Sequence, residues 1–478
     1  MPLIHIDGQP VQARTDQTVL EAALENGFFI PRLCWHPKLS IAGNCRICAV
    51  QVEGRTWVEI ACNMPVSEGL KVLTDSDIVR VYRKATMQFI TLNHPVDCGI
   101  CDKAGECTLQ DYHVAFNGTP SVSDEPKVHG TKFYALSERI TLDNERCILC
   151  SRCVRFTREI SGSNALGIVQ RGDHSLVRPA GDRPLDSDPY SDNIVDICPV
   201  GALLSKSFLY KSRVWYLKTT PSVCPGCERG CAIDLWHRKP EWFVRALDSA
   251  QNTTVERITP RDNPEVNGPW ICNKARDLAK TVFERPRAAA PMRKGREVPL
   301  SDALDAARAL IERSHHAVAL VSSQASNEEL QAFKAALGPR FTSFVKRDML
   351  PEPGEPLQDD LLIRADKNPN GYTARALFGD AEPAFPADAD LVLVWGEGCA
   401  FSGLPRGVPV IFLNAFLQPE NGHAEVFFPL SLQTERSGHY TNFLGVTSAF
   451  EACFPKSPQT LHAQHIFEAL VLAQAVTA

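Results

Sequence analysis

Residues 93–107, "NHPVDCGICDKAGEC", place three cysteines within ten residues and put a histidine just ahead of them. The candidate ligands, with 3, 2 and 5 residues between them, are His94, Cys98, Cys101 and Cys107 (group two). Three thiolates leave one iron of a 4Fe-4S cluster without a protein ligand, and imidazole is an accepted iron ligand. No other cysteine follows before Cys147. The spacing therefore predicts a cluster loop in which His94 is either the fourth ligand or a turn residue beside Pro95.

The chain upstream carries four cysteines with a different spacing, in "PRLCWHPKLSIAGNCRICAVQVEGRTWVEIAC". They are Cys34, Cys45, Cys48 and Cys62 (group one). Before them, "PLIHIDGQPVQAR" alternates like a hairpin around Asp7-Gly8, and "QTVLEAALENG" has helical spacing that ends at a glycine. Gly43 would let backbone N–H groups approach a cluster closely. A zinc site also uses CxxC, but the ten-residue gap before the pair favours a plant-type 2Fe-2S cluster in a β-grasp-like fold.

The chain downstream carries a triplet, "CILCSRCVRFTREISG", and a distant cysteine in "DICPVGAL" after 44 intervening residues. These four cysteines are Cys147, Cys150, Cys153 and Cys198 (group three). A CxxCxxC triplet with a distant Cys-Pro is the arrangement of bacterial ferredoxins. A two-cluster ferredoxin would carry a further Cys-Pro three residues after the triplet, where this chain has Thr157. Group three therefore predicts one 4Fe-4S cluster.

A fourth set lies in "SVCPGCERGCAIDLW" and "GPWICNKARDLAK", with 40 residues between its third and fourth members. The members are Cys224, Cys227, Cys231 and Cys272 (group four). Gly226 and Gly230 permit a tight loop, and the long gap costs little because doubling a loop adds only about 0.6 kcal/mol of closure entropy. A 4Fe-4S cluster is the expected occupant, and a zinc site or an empty site is the alternative.

The length, charge and composition of the chain indicate a multidomain globular protein. At 478 residues the chain predicts about three or four domains. The net charge of -6 has no basic block behind it, which argues against nucleic acid as a partner. No run approaches the length of a membrane span, and the N-terminus lacks the regions of a signal peptide, so we expect a cytoplasmic location. Seventeen cysteines in tight pairs and triplets then favour metal binding over disulfides.

Taken in order, the groups resemble those of the large iron-sulfur subunit of respiratory complex I, known as the G subunit in bacteria and as the 75 kDa subunit in mitochondria. The resemblance covers residues 1 to about 285. It rests on three specific motifs in the family's order: "CWHPKLSIAGNCRICAV", "NHPVDCGICDKAGECTLQD" and "CILCSRCVRF" with "CPVGAL". In that family the residue matching His94 is a cluster ligand, and residues matching group four bind an extra 4Fe-4S cluster in some bacteria only.

The resemblance implies a function and its partners. It implies one 2Fe-2S cluster, two 4Fe-4S clusters and a third 4Fe-4S cluster in group four, all held through their iron atoms. It implies electron transfer from a flavin subunit that oxidises NADH toward quinone. The implied partners are that flavin subunit, a 2Fe-2S subunit and the quinone-site subunits. The implied location is peripheral, on the cytoplasmic side of the bacterial inner membrane.

Residues beyond the fourth group alternate between helix and strand. Ser301 is positioned to cap "DALDAARALIERS", "AVALVSS" is predicted as a strand, and "NEELQAFKAALG" as a helix ended by Gly338. "ADLVLVWGEG" and "VPVIFLN" are further predicted strands. This doubly wound pattern is similar to part of a molybdopterin oxidoreductase domain, but it is too short for a complete one. Cys399 and Cys453 are interpreted as space-filling residues, so no molybdenum cofactor is expected.

The predicted architecture is multidomain α+β and α/β. The predicted domains are a β-grasp 2Fe-2S ferredoxin-type domain (1–78), a 4Fe-4S domain with one histidine and three cysteine ligands (79–118), a ferredoxin-like 4Fe-4S domain (119–215), a 4Fe-4S Mo/W-oxidoreductase-type domain (216–284), a linker (285–299) and a truncated molybdopterin-oxidoreductase-like α/β domain (300–478).

Three functions compete at this point. The chain has no acid, base or nucleophile constellation, no GxGxxG and no P-loop, so no catalytic residue is predicted. The leading hypothesis is an electron-relay subunit of a proton-pumping NADH:quinone oxidoreductase. The alternatives are the cluster-bearing subunit of an NAD-linked formate dehydrogenase, which the short C-terminal region disfavours, and a subunit of an NAD-reducing hydrogenase, which typically stops near the third cluster.

Overall fold

The computed structural model describes residues 1–181, 184–243, 252–381, 383–458 and 460–471. The chain forms two compact units, Met1–Trp215 and Tyr216–Ala478. The predicted domain limits stay predictions. Within the described ranges, no helix is both long and apolar enough to cross a membrane.

The first unit begins with a mixed sheet that carries one helix. Its strands are β1 (Leu3–Ile6), β2 (Gln9–Gln12), β3 (Ala49–Val52), β4 (Val58–Ile60) and β5 (Lys71–Leu73), in the order β2-β1-β5-β3-β4. Asp7 and Gly8 both have positive φ, 49° and 80°, as the predicted two-residue hairpin turn requires. The helix α1 (Val19–Glu25) starts from a capping box between Thr18 and Glu21 and buries its apolar face. The predicted β-grasp-like arrangement is confirmed.

The long helix ahead of group two lies on this sheet. It is α2 (Asp77–Thr91), capped by Ser76, whose side chain accepts from the N–H of Val79. Val79, Arg83 and Met87 are buried and lie four residues apart, on one face. Val81 lies between them in sequence and is therefore directed outward, with 70% of its surface exposed. A short helix follows group two, α3 (Thr108–Tyr112), and continues as one π-helical segment over His113–Asn117.

The rest of the first unit surrounds group three with short elements. They are β6 (Tyr134–Ala135), β7 (Ile140–Leu142), α4 (Arg152–Glu159), β8 (Leu166–Val169), β9 (Leu176–Pro179), α5 (Asn193–Ile197) and β10 (Leu203–Ser205). β10, β7 and β6 form one sheet, and β8 pairs with β9 in a hairpin. The cysteine triplet leads into α4, and Cys198 directly follows α5, so short elements fix all four cysteines.

The second unit begins with an antiparallel sheet next to group four. Its strands are β11 (Leu217–Val223), β12 (Ala232–Arg238) and β13 (Val255–Pro260), and a helix follows, α6 (Asn273–Leu278). The first three cysteines of group four lie on the loop between β11 and β12. Cys272 is the residue that precedes α6.

The remainder of the second unit is an α/β layer. Its strands are β14 (Met292–Arg293), β15 (Arg296–Glu297), β16 (Ala317–Ser322), β17 (Phe341–Lys346), β18 (Leu391–Trp395), β19 (Val410–Asn414), β20 (Val426–Pro429), β21 (Gly438–Thr441) and β22 (Thr447–Phe450). Its helices are α7 (Leu300–Arg313), α8 (Asn327–Ala336), α9 (Gly371–Phe378), α10 (Pro419–His423) and α11 (Ala463–Val471). The strands β16 to β20 are parallel, in the order β17-β16-β18-β19-β20. This is a doubly wound order, as predicted.

Burial on both faces explains why the sequences of these parallel strands are uninterrupted apolar runs. Every residue of β16, β18, β19 and β20 is buried, as expected where both faces of a parallel sheet are covered. One face packs against α7, α8 and α11, with Phe333, Trp395 and Phe467 in mutual ring contact. The other face packs against segments that include Ala288 and Leu404.

Two local predictions for the second unit are wrong, and a third is confirmed. Residues 285–299 are not only a linker, because Met292 and Arg293 pair with β20 and the chain turns at Lys294-Gly295 into β15. Ser301 does not cap α7, because the helix already begins at Leu300 after Pro299. The predicted helix end before Gly338 is confirmed, because α8 ends at Ala336 with Leu337 as its C-cap, and Gly338 opens a separate 3-10 turn.

Candidate iron-sulfur sites

Group one is organised as two pairs of thiols. Cys34 is hydrogen-bonded to Cys45, and Cys48 to Cys62, with three of the four side chains fully buried. A 2Fe-2S cluster has two irons and four thiolates, so each iron takes two of them. The two observed pairs supply two thiols for each iron. The residues present therefore fit a 2Fe-2S cluster.

The loop around group one directs backbone N–H groups at sulfur. Its hydrogen bond with Cys45 lowers the pKa of Cys34 to about 5, and the N–H groups of Cys45 and Asn44 act in the same direction. Gly43 has φ of 62°, and a Cβ there would meet nothing within 4 Å. Glycine is therefore needed at this position for the left-handed backbone conformation rather than for space.

Two cysteines of group two contact the chain segment that directly follows Cys198. Cys101 and Cys107 are buried, whereas Cys98 is exposed. The Cys107 sulfur lies 3.9 Å from the carbonyl oxygen of Pro199. A Cβ on Gly201 would overlap the Cys101 sulfur, so only glycine fits there.

His94 presents a free nitrogen beside this group. Its Nδ1 atom is buried and has no hydrogen-bond partner among the described residues. Burial lowers the pKa of His94 to about 4, which keeps the imidazole in the neutral form that binds metals. The charged side chains of Asp97 and Arg146 interact electrostatically with both His94 and Cys101. A neutral imidazole with an orphaned buried nitrogen, four positions before the first cysteine of group two, fits a cluster ligand. The cavity that His94 lines also includes Cys147 of group three.

Group three forms one shared cavity. Cys147, Cys150, Cys153 and Cys198 all line it, together with mainly apolar side chains. Leu149 and Ser151 have φ of 53° and 59°, which wraps the triplet around the cavity. Burial raises the pKa of Cys147 to about 11 and that of Cys150 to about 12, so these thiols would lose their protons on binding iron. The four sulfurs and the enclosed space fit a 4Fe-4S cluster.

Group four is also brought together by the fold. The buried thiols of Cys224 and Cys231 both interact electrostatically with Cys227 and Cys272. The N–H of Gly226 donates to the Cys224 sulfur at 3.5 Å, and Cys224 N–H donates to the Cys231 carbonyl at 2.8 Å. Burial raises the pKa of Cys272 to about 11. The residues fit a cluster of four thiolates.

The two remaining cysteines, Cys399 and Cys453, are not members of the four groups. Cys399 follows β18 in a turn flanked by Gly396 and Gly398, both with positive φ, and packs on the apolar face of the sheet. Cys453 packs on the apolar core next to group four.

No trio of His, Cys, Asp or Glu in the described part of the chain is placed to hold a single metal ion. In a cubane cluster, by contrast, each protein ligand binds a different iron.

Two arginines that sequence reasoning missed join group one to group three. Arg155 donates through Nη2 to the carbonyl oxygens of Cys34, at 2.5 Å, and Cys150, at 3.2 Å. Arg152 donates to the carbonyls of Trp35, at 2.6 Å, and Ile197, at 3.0 Å, which adjoin Cys34 and Cys198 in sequence. The two arginines thus link group three to group one, while the Pro199 carbonyl beside Cys198 links it to Cys107 of group two.

The α/β layer has a cavity at the carboxyl ends of its parallel strands. Its lining includes Ser322 at the end of β16, Gly396 after β18 and Asn414 at the end of β19. The lysine and arginines that line it are all paired with carboxylates: Lys274 with Glu355 at 2.6 Å, Arg285 with Glu397 at 2.7 Å, and Arg436 with Glu329 at 2.5 Å. The positive charges of this cavity are therefore already compensated.

Four protein-family models match consecutive parts of the chain. They are the 2Fe-2S iron-sulfur cluster binding domain (3–77), the NADH-ubiquinone oxidoreductase-G iron-sulfur binding region (83–119), the ferredoxin-like domain of NADH-quinone oxidoreductase subunit 3 (137–204) and the molybdopterin oxidoreductase Fe4S4 domain (217–283). The chain thus contains both 2Fe-2S-binding and 4Fe-4S-binding domains.

Curated relatives match the same region. The NADH dehydrogenase iron-sulfur protein 1 of Solanum tuberosum mitochondria is 38% identical over 61% of this chain and 37% of the relative. The G subunit of the NADH-quinone oxidoreductase of Rickettsia felis is 38% identical over 57% of this chain and 38% of the relative. The alpha subunit of the NADPH-Fe(3+) oxidoreductase of Geobacter sulfurreducens is 34% identical over 76% of this chain and 44% of the relative.

The chain spans less than half the length of these relatives. The domain matches follow one another in the order in which the four groups occur. Over residues 3–283 the homologues of this chain include the G subunit of NADH-quinone oxidoreductase and the mitochondrial NADH dehydrogenase iron-sulfur protein 1, and the matching domains bind 2Fe-2S and 4Fe-4S clusters.

Proposed function

We propose that this chain is an electron-relay subunit of a proton-pumping NADH:quinone oxidoreductase. The observation that carries the proposal is the contact of group three with both other groups of the first unit. When bound, the clusters accept and release single electrons. The chain's own residues hold them close together and exclude water from three of the four sulfurs in group one.

The contacts support an order of transfer that differs from the order in the sequence. Arg155 links the ligands Cys34 and Cys150, and Pro199, next to the ligand Cys198, touches Cys107. We therefore place group three between group one and group two in the relay. Group four is not assigned to this route, as the family resemblance implies for its extra cluster.

The proposed partners are a flavin subunit that oxidises NADH, a 2Fe-2S subunit and the subunits of the quinone site. Relatives of the chain are named as subunits of NADH-quinone oxidoreductase, which supports a multisubunit setting. The proposed position is peripheral, on the cytoplasmic side of the bacterial inner membrane. The twelve residues of groups one to three and the four of group four are the proposed ligands, for one 2Fe-2S and three 4Fe-4S clusters.

Removing one relay ligand should stop electron flow in the assembled complex. In complexes isolated through a tagged chain, Cys153→Ser is expected to lower NADH-to-quinone activity at least tenfold. The reason is that Cys153 is a proposed ligand of the group-three cluster, which lies between the other two clusters in the relay. Cys399→Ser is the matched control and should leave that activity intact. Full activity of a normally assembled Cys153→Ser complex would contradict the relay.

A second candidate is a relay that serves another donor and acceptor. The match to the alpha subunit of the NADPH-Fe(3+) oxidoreductase extends over 395 residues, further than the matches to the complex I subunits. Comparing NADH with NADPH, and quinone with ferric iron, in the same preparation decides between the two candidates. A preference for NADPH and ferric iron would favour the second.

The formate dehydrogenase alternative fits the α/β cavity poorly. A molybdenum or tungsten pterin cofactor carries anionic phosphate, and such a group needs free positive charge or N–H donors. The cations that line the cavity are all engaged by carboxylates. Stoichiometric molybdenum or tungsten in the pure protein would overturn this assignment.

A further inference from the structure

Arg152 and Arg155, here called the arginine bridge, carry positive charge into the space between two cluster sites. Only 4% of Arg155 is exposed, and the Arg152 Nε atom is buried without a partner among the described residues. The hydrogen bonds of both guanidinium groups go to carbonyl or hydroxyl oxygens. Within the described ranges, neither forms an ion pair with a carboxylate.

A buried cation without a carboxylate needs another source of negative charge. The acidic groups that act on Arg152 are thiols from both sites, in decreasing order of effect Cys150, Cys198, Cys34 and Cys45. Cys34 also interacts electrostatically with Arg155. Ligated thiolates and their clusters are therefore the counter-charge of the bridge.

The bridge also fixes the spacing of the two sites. The Nη2 atom of Arg155 donates to the carbonyl oxygens of both Cys34 and Cys150, and its Nη1 atom donates to the Ser40 carbonyl. Asn44, next to Cys45, donates to the Leu149 carbonyl at 2.9 Å, and Ser40 donates to Glu159 at 2.6 and 2.8 Å. The loop of group one is thus attached to the triplet and to α4 by several bonds, with the arginines at the centre.

We propose that the arginine bridge is a shared positioning and charge element that sets the reduction potentials of the group-one and group-three clusters together. This rests on the proposed cluster binding, and it goes beyond it by assigning residues that are not ligands. Adding one electron to either cluster increases its negative charge, and a nearby guanidinium stabilises the reduced form. Removing that charge should make both clusters harder to reduce.

The test is an EPR-monitored redox titration of the cluster-loaded full-length chain with chemical mediators. Arg155→Gln, which keeps an amide donor and loses the charge, is expected to shift the reduction equilibrium of both clusters about tenfold toward the oxidised form. For a one-electron couple this is a lowering of about 59 mV. Arg155→Lys keeps the charge and should recover at least half of the shift.

Arg158→Gln is the matched control, because Arg158 lies on the same helix with an exposed side chain and pairs with Glu159. Its potentials should equal those of the unmodified chain. If Arg155→Gln does not retain its clusters, Arg152→Gln provides the same comparison. A shift in only one cluster, no shift, or an equal shift in Arg158→Gln would overturn the proposal. Because the titration uses neither NADH nor quinone, such a result would leave the relay function standing.

Discussion

Gly201→Ala is expected to remove the group-two cluster while the other clusters remain. A Cβ at residue 201 would overlap the Cys101 sulfur and would lie 3.2 Å from the Lys103 Cβ atom. The cysteine sulfur is held by a short side chain in a buried site, so it cannot move aside without leaving its place as a ligand. Overpacking of this kind also costs about 1–3 kcal/mol of folding free energy.

The measurement is iron content together with the EPR spectrum of the reduced chain. We expect a loss of about four irons and of one 4Fe-4S signal. Gly99→Ala is the control, because Gly99 lies between two cysteines of the same group and a Cβ there would meet nothing within 4 Å. A Gly201→Ala chain with full iron content and an unchanged spectrum would show that Cys101 is not held as described.

His94→Cys should keep a 4Fe-4S cluster in group two but lower its reduction potential. A thiolate adds a negative charge where neutral imidazole has none, and each electron then enters a more negative cluster. Histidine-for-cysteine replacement in Rieske centres raises potentials by several hundred mV for two ligands, so one ligand should account for a shift on the order of 100 mV. His94→Ala removes the ligand and should lose the cluster.

His129→Ala is the control for both variants of His94. The two histidines line the same cavity, but the exposed His129 ring is hydrogen-bonded to Glu145 at 2.9 Å, whereas His94 Nδ1 has no partner among the described residues. The control should leave the potential unchanged. If His94→Ala retains its cluster at the original potential, His94 is a bystander.

Local sequence signals predicted much of the fold. Asp7-Gly8 indicated the first hairpin, and uninterrupted apolar runs indicated β16, β18 and β19, because these signals are contained in a few adjacent residues. The same reasoning missed β14 and β15. Each of these strands has only two residues, and strand pairing rather than any periodicity holds them in place, β14 on β20 and β15 on β14.

The cysteine groups were predicted from spacing, but their mutual arrangement was not. Arg155 contacts Cys34 across 121 positions of sequence, and Gly201 lies against Cys101. No local pattern marks such contacts, because the chain brings these residues together only when the loops of groups one to three fold onto α4 and α5. The sequence therefore identified the candidate ligands, whereas the order of the groups in space required the structure.

Metal content and low-temperature EPR of the intact reduced chain, purified without oxygen, test the central claim most directly. We expect about 14 irons per chain, in one 2Fe-2S cluster and three 4Fe-4S clusters. Zinc in place of iron, or fewer than the about 10 irons that groups one to three would hold, would contradict it.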